Sequence, residues 1–136
     1  MLNKFGVNKP RLAETFMRLV RIDSVSKEEG AISNEIIKML RGLGAKITID
    51  GANDKIGGET GNIVAQFQGN VDAPALLLSA HMDTVEPGRG IRPVLKDGLF
   101  RSDGTTILGA DDKSALAIIF EVMDIIKERD LPCPPV

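Results

Sequence analysis

The sequence predicts an α/β fold from two observations. Apolar residues recur at helical spacing near both ends of the chain, and short alternating or continuous apolar runs bounded by Gly, Asn and Asp lie between them. At 136 residues the chain has the length of one domain and can bury a real core, so 1–136 is read as a single unit.

Asn8 with Pro10 offers an N-cap and an early-turn proline, and Leu12, Phe16, Leu19 and Val20 form one stripe of a helix over about 9–22. Ser26-Lys27-Glu28-Glu29 reads as a capping box for a second helix whose apolar face is Ile32, Ile36, Ile37 and Leu40, with Gly42 or Gly44 to end it. Both helices are expected to pack on a sheet. Residues 45–50 alternate, with Ile47 and Ile49 facing in, as in a half-buried strand. Residues 51–61 carry no periodicity and read as a surface loop before a strand over 62–67. The nearly continuous apolar run 75–80 predicts a central strand buried on both faces. Residues 91–100 read as two short strands around the turn Lys96-Asp97-Gly98. A long helix follows from about Asp112 to Arg129, and the proline-rich 131–136 stops it. There is no internal repeat and no low-complexity tract.

Several function classes are excluded by composition. A net charge of −2 gives no basic footprint for nucleic acid or an anionic membrane, and the absence of Trp and Tyr removes most stacking platforms. No apolar run is long enough to span a bilayer. The lone Cys133 forms no internal disulfide, and the start Met1–Gly6 lacks the apolar core of a signal peptide, so a reducing, cytoplasmic setting is expected.

Chemistry concentrates in two places. His81 is the only histidine, and in an extended chain it shares a face with Asp83 while Met82 turns the other way. A carboxylate so placed can hold the second ring nitrogen of a metal-bound imidazole. Taken alone, the pair fits a strand-end salt bridge better than a ligand. Gly109-Ala110-Asp111-Asp112-Lys113 lies where a loop enters the long helix. Acidic residues there are explained equally by helix capping and by metal binding, in which one carboxylate can bridge two cations.

In this order and spacing the two clusters resemble those of the co-catalytic zinc exopeptidases and deacylases, a family that includes peptidase T, carboxypeptidase G, acetylornithine deacetylase, succinyl-diaminopimelate desuccinylase and aminoacylase. The peptidase T-like branch is most similar, through 79–85, through Gly90-Ile91-Arg92-Pro93 with Lys96-Asp97-Gly98, and through 102–113. Weaker similarity reaches Arg21-Ile22-Asp23-Ser24. The resemblance implies a three-layer α-β-α catalytic domain with a mixed sheet. It also implies that His81 is a zinc ligand, Asp83 the catalytic carboxylate orienting it, and Asp111 the bridge between two zinc ions, for which Co2+ or Mn2+ can substitute. Asp112 and Lys113 are implied to support the turn, the 111–112 peptide to be cis, and Thr84 and 104–106 to border the site.

The adjacent glutamates, further acidic ligand and distant histidine of the family have no counterpart here. Glu28-Glu29 matches only in local composition. The chain is therefore expected to be the N-terminal part of the catalytic domain, incomplete at its C-terminal end, without the lid or dimerisation domain, and inactive alone. The implied parent activity is release of the N-terminal residue from tripeptides or other short peptides. The alternatives are a deacylase of N-acyl amino acids and a non-catalytic binding module on the same scaffold. An unpaired strand at 75–80 further predicts self-association or homo-oligomers.

Overall fold

The structure, a computed structural model, describes residues 6–136, so most of the expectation for Met1–Gly6 lies outside the described residues. Helix α1, Lys9–Val20, begins as expected, with the Asn8 side chain accepting from the Arg11 N–H at 3.2 Å. Helix α2 spans Gly30–Leu43 and closes at Gly44, whose left-handed backbone returns its N–H to the last turn. Its start corrects the capping-box reading. Ser26 lies four residues outside the helix, Glu29 occupies the cap position without a side-chain bond to the helix, and the Ser26 hydroxyl is bonded to Asp83 instead.

Strand β1, Lys46–Ile49, pairs antiparallel with β2, Ile63–Gln66, in the register Lys46 to Gln66. Ile47, Ile63 and Ala65 face the core, but Ile49 at the strand end is exposed, contrary to the alternating pattern. The segment read as a plain loop contains a one-turn helix, α3, Ala52–Ile56, closed by Gly57. Five residues, none of them buried, are too few to show a period. Strands β3, Val94–Lys96, and β4, Leu99–Arg101, form the expected hairpin. Asp97 and Gly98 both take positive φ, 52° and 76°, as a two-residue turn matched to strand twist requires.

Helix α4, Ala110–Glu128, follows, and its backbone becomes regular only after Asp112. The core forms where α1, α2 and α4 meet, with Phe16, Leu19, Ile32, Ile36, Leu116 and Phe120 at its centre and Met82 and the inner face of β1–β2 packed against it. Phe16 and Phe100 meet edge to face at 4.8 Å, which brings the hairpin onto this core. Helices packed with small antiparallel sheets give the expected α/β class.

The central strand does not form. Residues 75–80 join no strand ladder among the described residues, and Leu76, Leu77 and Leu78 are 52%, 88% and 38% exposed. An apolar run shows what a segment can bury, but burial needs a neighbour on each side, and here only the Leu76 N–H finds one, the Pro135 carbonyl at 2.8 Å. The tail after α4 lies along 67–76, with Phe67 and Val136 exchanging both backbone bonds. Among the described residues, no helix is long and apolar enough to cross a membrane.

Candidate metal centre

The two clusters singled out in the sequence meet in space. His81 Nδ1 lies 3.0 Å from Asp83 Oδ1 and 3.1 Å from the Asp83 carbonyl, while Nε2 lies 3.1 Å from Asp111 Oδ1, thirty residues further along the chain. Oxygens that only accept therefore face both ring nitrogens. On the Asp83 side this requires an N–H. On the Asp111 side, either a proton or a cation must lie between Nε2 and the carboxylate. Nitrogen and oxygen ligands of one zinc, each about 2.0–2.2 Å from it, are separated by roughly this distance, so His81 and Asp111 fit as a pair of ligands to one ion.

Exposure agrees with an open site. The Asp111 side chain is 96% exposed, so an ion can reach it from solvent, whereas Asp83 at 36% is held closer to the protein. Partial burial works against charge on His81, but the hydrogen bonds to Asp111 and Asp83 outweigh it and raise the imidazole above its usual pKa. Asp83 is lowered, first by the Ser26 hydroxyl, against partial burial, and then by His81. Among the described residues, no three His, Cys, Asp or Glu side chains form a cluster suited to a metal ion. Asp83 stands behind the ring, leaving two donors in front.

The supporting pair separates. Lys113 is fully buried, its Nζ donating to the Ile22 carbonyl at 2.7 Å. Asp112 is half-buried and lines a cleft of about 710 Å3 whose rim includes His81 and Asp83 and whose floor is apolar, with Ile36, Leu116 and Met123. The 111–112 peptide is cis. Gly109 is required by its backbone conformation and by close packing. Its φ is +70°, and a Cβ there would meet Thr84 Cγ2 and Ile91 Cδ1 at 3.2 Å.

Sequence reasoning missed the strap 22–26, which bonds to segments flanking this centre and, through Ser24, Val25 and Ser26, to Thr84 and Asp83. Ile22 accepts from Lys113, and the Asp23 carboxylate accepts from the Gly90 N–H at 2.7 Å. Ser24 accepts from the Thr84 N–H at 2.8 Å, Val25 forms a parallel bridge to Thr84, and Ser26 donates to the Thr84 carbonyl from its backbone and to Asp83 from its hydroxyl. The only sequence signal was the weak similarity at 21–24. Glu28 is bound on both oxygens by Arg89, at 2.7 and 2.8 Å, and so is not a free carboxylate.

No family model matches the chain. It is 40% identical to the "uncharacterized protein YqjE" of Bacillus subtilis (strain 168) over 125 residues, 92% of this chain and 34% of that protein. It is 24% identical to a peptidase T of Bacillus mycoides (strain KBAB4), over 87% of this chain and 38% of the relative. Two crystal structures superpose with a TM-score of 0.92: a tripeptidase from Staphylococcus aureus subsp. aureus Mu50 at 39% identity and aminopeptidase PepT from Bacillus cereus ATCC 10987 at 40%, each over 95% of this chain and 35% of the other. The chain thus spans about a third of the length of the proteins it matches. Over nearly all of its own length, it is peptidase T-like in sequence and in fold.

Proposed function

We propose that this chain contributes one part of the active site of a metal-dependent aminopeptidase that releases the N-terminal residue of tripeptides or similarly short peptides. The observation that supports this reading is the placement of His81 Nε2 against Asp111 Oδ1, with Asp83 behind the ring. The relatives named tripeptidase and aminopeptidase supply the substrate class.

In this reading His81 and Asp111 would hold a divalent metal, zinc foremost, with Asp111 open to a second ion. A metal bound there supplies an acidified water and polarises the scissile carbonyl. The chain's own residues do the positioning. Asp83 keeps the Nδ1 proton in place so that Nε2 presents its lone pair, and α4 with the strap sets the distance between His81 and Asp111. Two donors leave a zinc ion short of its usual four ligands, so the chain alone is proposed to bind metal weakly and to lack peptidase activity. The buried, free Cys133 suits a reducing compartment.

Titration calorimetry with Zn2+ tests the assignment. Binding by the chain that is lost in both His81→Ala and Asp111→Asn is the expected result, and binding unaffected by either substitution overturns it. Tripeptide turnover by the chain that disappears in His81→Ala would disprove the proposed inactivity.

A further inference from the structure

We propose that Ser26 is a positioning residue for His81, acting through Asp83; the link to metal binding rests on the function proposed above. The Asp83 carboxylate is engaged at both ends. Oδ1 faces His81 Nδ1 at 3.0 Å, and Oδ2 accepts the Ser26 hydroxyl. A carboxylate held at one oxygen swings about its last torsion, whereas one held at both has a fixed plane. That plane aims the oxygen at Nδ1 and thereby sets the direction of Nε2 toward Asp111.

The hydroxyl is itself placed by backbone. Ser26 donates its N–H to the Thr84 carbonyl at 3.3 Å, while Thr84 donates to the Ser24 carbonyl at 2.8 Å, so the 24–26 segment is laced to the residue that follows Asp83. Ser26 is exposed and lies outside α2. Neither the core nor a helix cap explains its contact with Asp83. Replacing Ser26 by Ala keeps the backbone bonds and opens no cavity, which separates positioning from folding.

The neutral imidazole has two tautomers, and each has a carboxylate to bond, Nδ1–H with Asp83 or Nε2–H with Asp111. A firmly held Asp83 selects the first. The test is 15N NMR of the His81 ring in the full 136-residue chain, free of metal and at a pH above the imidazole pKa, for wild type, Ser26→Ala and Ser26→Thr, with thermal unfolding as a control. Expected are a predominantly Nδ1–H ring in wild type, a shift toward Nε2–H in Ser26→Ala, recovery in Ser26→Thr, and equal melting temperatures. A tautomer ratio unchanged by Ser26→Ala overturns the proposal.

Zn2+ titration of the same three proteins separates this proposal from the functional reading. Where metal binds, Ser26→Ala weakens it by about tenfold, the lower end of the usual effect of residues behind a ligand. Wild-type chain that fails to bind Zn2+ overturns the metal assignment, while the ring tautomer still decides the role of Ser26.

Discussion

The Lys113 ammonium donates to the Ile22 carbonyl across 2.7 Å from a side chain wholly withdrawn from solvent. Lys113 lies two residues after Asp111, and Ile22 begins the strap whose later residues hold Thr84 and Asp83. One buried hydrogen bond therefore ties the helix bearing Asp111 to the segment that braces His81.

Burial of this ammonium gives stability a defined pH dependence. Loss of solvation lowers Lys113 from its ordinary 10.5 to about 8, opposed by the charge of Asp23. Below pH 8 both folded and unfolded chains hold the proton, and the full cost of burying charge is present. Between pH 8 and 10.5 the unfolded chain binds more protons, so this group's contribution to stability rises with pH and levels off above. Urea unfolding from pH 7 to 10.5 is expected to show that rise, and subtracting the profile of Lys113→Met should remove it. Parallel profiles for the two proteins would show that Lys113 is not depressed.

A second buried charge joins α1 to α4. Glu121, 4% exposed, accepts from the Asn8 N–H at 2.7 Å and from Arg11 Nε at 2.6 Å. Arg11→Met leaves that carboxylate buried with only the Asn8 N–H, and the cost is expected to be about 3 kcal/mol, the lower end for an uncompensated buried ion. Glu121→Gln removes the charge but leaves one oxygen where the two donors now each have their own, so one hydrogen bond is lost and the expected cost is about 1.5 kcal/mol, the lower end for a hydrogen bond to a charged group. Chemical denaturation of both variants checks the ordering, and equal losses would contradict it.

The helices were legible because periodicity is local. Phe16, Leu19 and Val20, or Ile32, Ile36 and Leu40, announce a buried face without reference to any neighbour, and the Asp97-Gly98 turn carries its own backbone requirement. The run 75–80 was misread because burial of a strand depends on what lies beside it. Ser26 was misread for a related reason. A hydroxyl three residues before a glutamate fits a capping box, in which its oxygen accepts from the helix, but α2 starts four residues later and the hydroxyl instead donates to Asp83, fifty-seven residues away. His81 and Asp111 were visible as residue types, whereas their 3.1 Å approach depends on the strap and on Lys113, which local patterning does not report.

Core packing separates two neighbouring kinds of apolar residue. Leu19 has no solvent exposure at the junction of the three long helices, whereas Ile118 on α4 is 53% exposed. Leu19→Ala is expected to cost about 3 kcal/mol through lost burial and the cavity left behind. Ile118→Ala is expected to change stability by less than about 0.5 kcal/mol, as surface substitutions do. Guanidinium unfolding of the two variants measures the difference, and comparable losses would mean that the core is not centred on α1, α2 and α4.

Leu77 sits at 88% exposure in a stretch, 77–83, that joins no ladder among the described residues. Its flanks are fixed by backbone bonds, Leu76 to Pro135 on one side and Thr84 to Ser24 on the other, which hold the stretch at both ends. Unpaired N–H and C=O groups beside exposed leucines form a template for another strand, and a second chain of the same sequence offers one. The apolar floor of the adjoining cleft adds surface that such pairing can cover. The chain is accordingly expected to self-associate, with a sedimentation-derived mass that rises with concentration. Leu77→Lys places a charge on the exposed edge at negligible folding cost, and it should return the protein toward a monomer with an unchanged melting temperature. A wild-type chain that sediments as a single monomer at high micromolar concentration, or a Leu77→Lys variant that associates as strongly as wild type, would place the association elsewhere or remove it.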